Sequence, residues 1–227
     1  MSRRPPVVAI DGRSASGKST VAEAVAIRLG FRHVDTGAMY RSVALAALRR
    51  GIPLHDADAL AALAASLEID LRAAAGGSRV IVDGEDVTEA IRAPEVGDAA
   101  SVVSAVPGVR AALVARQRQL GQTGAVVVEG RDIGTVVFPD AEVKVFLDAS
   151  LEERARRRHE ELAARGVRVD LDDVRRQQAE RDRRDETRAV SPLRPAADAV
   201  VIDTTGRDAQ DVVEEIVRLV RERTRVV

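Results

Sequence analysis

The chain has 227 residues, 35 basic against 36 acidic, a net charge of -1 and only 2% aromatic side chains; the length suits one sizeable α/β core with insertions, and the charge and few aromatics argue against an electrostatic or base-stacking nucleic-acid binder. Cysteine is absent, which excludes disulfides and thiolate metal sites, and His33, His55 and His159 show no metal-ligand spacing. No apolar stretch approaches a membrane span and the N-terminus lacks a signal-peptide core, so a cytoplasmic protein is expected.

The apolar run Val7-Val8-Ala9-Ile10 predicts a strand over 7–11. Gly12-Arg13-Ser14-Ala15-Ser16-Gly17-Lys18-Ser19-Thr20 follows it directly and matches the phosphate-binding loop G-x-x-x-x-G-K-[ST] in its strand-to-helix context. Its glycines let consecutive N–H groups point into one concavity, and the positive end of the next helix adds to the anion site. Lys18 is expected to reach the β- and γ-phosphates of a nucleoside triphosphate, with the Ser19 hydroxyl on Mg²⁺. Only Lys18 and Lys144 are lysines in an arginine-biased chain, which suggests that a compact ammonium is wanted at Lys18.

A helix over 18–29 ends at Gly30. A second strand, 31–35, leads into Asp35-Thr36-Gly37-Ala38-Met39-Tyr40-Arg41, with Thr36 as the expected N-cap of a helix ending at Gly51. An Ala/Leu helix follows near 56–67. Short strands at 68–71, 80–82 and 85–87, with turns at Gly76-Gly77 and Asp83-Gly84, predict an inserted subdomain. Helices are expected over 94–104 and 107–121, and buried parallel strands over 125–128 and 143–147. Ser150 caps a charged helix over 151–165; Gly166 breaks it, and a second charged helix runs over 170–185. A strand at 199–203 and a helix at 208–223 complete the chain, which reads as one unit with one insertion and one mobile charged hairpin.

Three further segments fall on the rim beyond the carboxyl ends of the strands, where open α/β sheets bind ligands. Glu129-Gly130-Arg131-Asp132 follows the strand 125–128; Glu129 is placed to orient Mg²⁺ through water and Arg131 to hold a phosphate. Thr36, Tyr40 and Arg41 lie within one helical turn of each other, and Arg41 near a helix start hints at an external anion. The segment 154–188 is dense in arginine. Glu152 with Arg156 and Glu153 with Arg157 predict i,i+4 pairs on a solvated face, yet the group as a whole could close over a triphosphate. The chain has neither an N-K-x-D nor an H-R-D motif, against a guanine switch and a protein kinase. Many arginines and no evident base suit transfer from phosphate to phosphate, because a monoester acceptor has a second pKa of about 6 and needs charge neutralised rather than a proton removed.

Together these segments resemble the bacterial cytidylate kinase family of nucleoside monophosphate kinases. The likeness is carried by Asp11 with the phosphate loop, the run Asp35 to Arg41, Arg92-Ala93-Pro94-Glu95-Val96 and Ala99-Ala100-Ser101. It continues through Glu129-Gly130-Arg131-Asp132-Ile133-Gly134-Thr135-Val136-Val137-Phe138-Pro139, Lys144 to Ala149, Glu180 to Asp185 and Arg188 to Leu193. The chain departs from the family in the loop interior at Arg13, where proline is frequent, and at Ala15-Ser16, and it carries Glu129 where aspartate also occurs. The resemblance implies a P-loop kinase fold, α/β, with a parallel sheet flanked by helices in a single domain over 1–227. It implies an inserted monophosphate-binding subdomain near 67–104 and a charged helical lid near 154–168. It implies ATP and CMP or dCMP as substrates with Mg²⁺, and catalytic roles for Lys18, Arg131, Arg181 and Arg188. Arg41, Arg131, Arg181 and Arg188 would grip the acceptor phosphate; Ser101, Arg110 and Asp132 would read cytosine; Asp185 would hold ribose, with Thr36 and Tyr40 in the same pocket. A monomer without nucleic-acid or membrane partners is expected.

Overall fold

Alternation along the first strand, β1 (Val7–Gly12), sets the architecture. Val7 and Ala9 join one apolar cluster and Val8 and Ile10 another, because successive strand residues point to opposite faces. Both faces of the sheet are therefore covered, as the continuous apolar run requires. The computed structural model describes residues 5–74 and 77–224. Its main sheet holds β1, β2 (Arg32–Asp35), β6 (Val126–Gly130), β7 (Val143–Asp148) and β8 (Val200–Asp203), all parallel, in the order β2-β6-β1-β7-β8. Helices α1 (Lys18–Leu29) and α8 (Ala209–Thr224) cover one face through Val21, Val25, Val213 and Ile216. Helices α2 (Thr36–Arg49), α3 (Ala57–Ser66), α4 (Pro94–Val103) and α5 (Pro107–Leu120) cover the other through residues such as Met39, Leu60 and Leu113.

The short strands between α3 and α4 form a separate antiparallel sheet of β3 (Ile69–Ala74), β4 (Gly77–Val82) and β5 (Glu85–Asp86). The first two are longer than the sequence suggests. The turn at Asp83-Gly84 has both residues at positive φ, 49° and 86°, the pairing that suits right-twisted hairpins. Of the other expected turn, Gly76 lies outside the described residues. Two charged helices, α6 (Leu151–Ala164) and α7 (Leu171–Thr187), pack on each other through Ala155, Leu162 and Val174. Ser150 caps α6 by accepting from Glu153 N–H, and Asp170 caps α7.

The sheet register gathers the chemistry on one rim. Asp11 stands beside Gly130, Gly12 beside Leu147, and Asp35 beside Glu129. Three differences from the sequence reading bear on that rim. Glu129 and Gly130 belong to β6 itself, while Ala125, at φ 50°, stands before it. A wide π-type turn over Ile133–Val137 follows Asp132, a feature frequent at functional sites. The N-cap of α2 is Asp35, whose carboxylate accepts from Ala38 N–H at 2.9 Å; Thr36 is the first helical residue instead, turned inward to donate to the Glu129 carbonyl at 2.7 Å.

Candidate active site

The phosphate loop is shaped by close approach. A Cβ on Gly12 would lie 2.0 Å from the Leu147 carbonyl oxygen, so β1 can turn here only without a side chain. Gly17, at φ 89°, opens α1 with no side-chain cap, which leaves the first N–H groups of the helix to an anion. Within the run from Arg13 to Thr20, Ala15 is left-handed at φ 60° and the Ser16 N–H reaches the Arg13 carbonyl at 3.4 Å. The Lys18 ammonium is buried, donating to the Arg13 carbonyl and lying 3.4 Å from Ser16 Oγ. Burial, then the nearby Arg131 guanidinium, hold its pKa well below the usual lysine range, with Arg181 adding to the effect. Glu129 joins the loop to the rim: one carboxylate oxygen accepts from Ser19 Oγ at 2.9 Å and the other faces His33 Nε2 at 3.1 Å.

Asp11 is the residue beneath this centre that no motif explains. Its carboxylate accepts from the N–H groups of Ile133 and Gly134, both at 2.8 Å, and so ties β1 to the turn that follows Arg131-Asp132. Burial lifts its pKa from 3.8 to about 6, while the Gly134 and Ile133 N–H groups pull the other way. Between those values the folded chain holds a proton that the unfolded chain has lost, so this group's contribution to stability falls as pH rises through about 6. Asp11→Asn mimics the neutral form. In urea unfolding it is expected to gain on the parent by roughly 3 kcal/mol between about pH 4 and pH 7; a gap constant over that range contradicts a raised pKa at this carboxylate.

The rest of the rim is a cluster of arginines with few neutralising partners. Arg41 Nη2 pairs with Asp35 Oδ2 at 2.7 Å, so the N-cap carboxylate answers part of the charge near this helix start. Arg131 Nε reaches Asp185 Oδ2 at 3.2 Å. Arg181 lies against Arg131 and Arg41, and burial followed by the Arg131 charge brings its pKa down to about 10. Arg188 donates to the Ser191 carbonyl and stands 4.0 Å from Asp132, its pKa lowered by burial and then by Arg110. Asp132 is also bonded to Arg110 in a pair with both side chains buried, and the Arg110 guanidinium lies 5.6 Å from the centre of the Tyr40 ring. Among the described residues, Arg41 Nε, Arg181 Nε, Arg188 Nη2 and Ser101 Oγ are buried without a hydrogen-bond partner. Such groups are rare in a protein interior; unpaired cationic donors converging on one rim are suited to an anionic ligand.

The arginine-rich hairpin divides by partner. Arg156 pairs with Glu153 and Glu160, not with Glu152 as the spacing suggests, and Arg158 pairs with Glu161. Arg157 does pair with Glu153, and it also donates to Thr204. Arg154 is buried rather than solvated: it grips Asp182 at 2.7 and 3.1 Å and donates to the Ala149 carbonyl at 3.0 Å.

Over residues 8–222 the sequence matches the family described as cytidylate kinase. This chain belongs to the cytidylate kinase family. A cytidylate kinase of Pelotomaculum thermopropionicum is 55% identical over 213 residues, 93% of this chain and 94% of that protein. A bifunctional pantoate ligase/cytidylate kinase of a Synechococcus strain is 52% identical over 222 residues, 96% of this chain but 41% of the longer protein. The chain thus spans less than half the length of that relative. Among solved structures, a gluconokinase from Sinorhizobium meliloti superposes with a TM-score of 0.50 at 19% identity, covering 98% of this chain and 95% of its own, a likeness of fold. Cytidylate kinases are nucleoside monophosphate kinases, and the phosphate loop and arginine rim of this family member are the parts that such a phosphotransferase needs. Among the described residues, no single helix is long and apolar enough to cross a membrane.

Proposed function

We propose that the chain transfers the γ-phosphate of ATP to CMP or dCMP, giving ADP and CDP or dCDP. The observation that carries this reading is the buried Arg110–Asp132 pair, with Arg110 Nη1 on the Ser104 carbonyl at 3.2 Å and Ser104 Oγ in turn on the Ser101 carbonyl at 3.0 Å. A carboxylate such as Asp132 accepts from the N4 amino group of cytosine and repels the O4 of uracil, while Arg110 can donate to O2 and N3. A ligand that leaves a buried carboxylate facing another acceptor is rejected strongly.

The acceptor phosphate lies among Arg41, Arg131, Arg181 and Arg188 in this reading, and Asp185 and Tyr40 hold the nucleoside. An oxygen of that phosphate attacks the γ-phosphorus in line as the bond to the ADP oxygen breaks. No protein base is required, since the acceptor is already largely ionised at neutral pH. Lys18 and the arginines neutralise charge on the transferred group, and closure of the second sheet and of the α6–α7 hairpin excludes water. The neighbouring Ser19 hydroxyl and Glu129 carboxylate are hard oxygen donors that fit Mg²⁺, an ion that takes most of its ligands from water and phosphate. Among the described residues no group of three His, Cys, Asp or Glu could hold a metal ion. Ser19 and, through water, Glu129 would hold the ion, which would supply neutralisation of the charge that develops on the transferred group. The same reading has a cytoplasmic monomer that uses nucleotides alone. Turnover measured across a panel of monophosphates tests it.

A further inference from the structure

Arg13 stands directly after the first glycine of the phosphate loop, and its side chain leaves the loop altogether. Its Nε and Nη2 both donate to Glu186 Oε1, at 3.0 and 2.8 Å, and its Nη1 is paired with Asp148 at the end of β7. Asp182 Oδ2 stands 4.0 Å from the same guanidinium. Asp182 and Glu186 are one turn apart on a face of α7, and Arg181, Asp185 and Arg188 follow an adjacent line of the same helix and its end. A second strap runs parallel to the first. Arg154 holds Asp182 and reaches the Ser14 carbonyl at 3.5 Å. The loop expected to receive the triphosphate is therefore bolted to the helix that carries Arg181 and ends at Arg188. Lys18 adds a link to the ligand itself, because its ammonium rests on the carbonyl of Arg13, and a phosphate drawing Lys18 away acts on the residue that makes the strap.

We infer that Arg13, through Glu186, is a positioning residue that couples the donor loop to α7, so that a nucleoside triphosphate in the loop orders α7 and tightens the binding of the acceptor. The identity of that acceptor rests on the function proposed above; the ordering of α7 does not. The planar fork of arginine suits the role, since it can engage two carboxylates at once.

The test uses the full chain with Arg13→Ala, Glu186→Gln and the double variant. Glu186 is exposed and outside the binding machinery, so Glu186→Gln is expected to fold normally. Calorimetric titration of CMP with and without saturating magnesium AMPPNP gives the coupling. In the parent chain AMPPNP is expected to tighten CMP about fivefold. Each single variant brings that ratio close to one, and the double variant goes no further, as a shared interaction requires. Hydrogen exchange of α7 with AMPPNP alone is the second readout: added protection in the parent, lost in the variants. Coupling and protection that persist in the variants overturn the inference, as does their loss in Arg13→Ala with retention in Glu186→Gln. If CMP fails to bind while protection still depends on Arg13 and Glu186, the coupling stands and the acceptor assignment fails.

Discussion

Arg131→Ala is expected to lower kcat by about a thousandfold and to leave ATP affinity within about twofold of the parent, since the loop N–H groups do not depend on this side chain. Arg131 lies just past Gly130 at the end of β6, with its Nε on Asp185 and its charge felt by both Lys18 and Arg181. It is thus the cation shared by the donor and acceptor halves of the rim. Its loss removes charge where charge builds up during transfer and leaves the buried Asp185 carboxylate without its partner. The lysine at position 18 also regains part of its ordinary pKa in the variant, because Arg131 is second only to burial in lowering it. Single-turnover kinetics with a separate ATP-binding titration checks this. Loss of ATP binding with acceptor affinity kept would show that Arg131 belongs to the donor alone.

Asp132→Ala has the second large effect, and it falls on two observables. The pair with Arg110 is buried on both sides, with side-chain exposures of 3% and 6%. Removing the carboxylate strands a buried guanidinium, which destabilises a fold by about 3 kcal/mol or more. The same change deletes the acceptor proposed for the cytosine amino group, so the ratio of kcat/KM for CMP over UMP is expected to fall tenfold or more. Thermal unfolding and paired kinetics with the two monophosphates check the two effects separately. A variant that loses stability but keeps its cytosine preference would confine Asp132 to holding Arg110.

The parts of this site that could be read in the sequence are those set by local chemistry. Gly12 to Thr20 declares itself because loop, glycines and helix start are contiguous, and Val126 to Val128 and Val143 to Leu147 declare a covered sheet by their unbroken apolar runs. Ser150 and Asp170 cap their helices where short polar side chains precede acidic first turns. At α2 two good capping residues stand side by side. Asp35 takes the role because its carboxylate reaches Ala38 N–H, and Thr36 gains a buried partner in the Glu129 carbonyl on the adjacent strand, a contact between residues far apart in sequence. The turn over Ile133–Val137 has no local signature for the same reason: Asp11, on another strand, accepts the N–H groups at its start. Arg154 looks like its neighbours on a charged helix until Asp182, on the next helix, is seen to hold it in the interior. What could not be read were contacts between elements, and those contacts link the two halves of the rim.

In the proposed function, the rim built by Arg110, Asp132 and Ser101 selects cytosine for phosphorylation by ATP. ADP release, measured with the full chain, ATP, magnesium and equal concentrations of CMP, dCMP, UMP and AMP, decides the matter. CMP and dCMP are expected to turn over efficiently, with UMP and AMP at least tenfold poorer in kcat/KM. Turnover of AMP or UMP equal to or better than that of CMP refutes a cytosine-selecting rim.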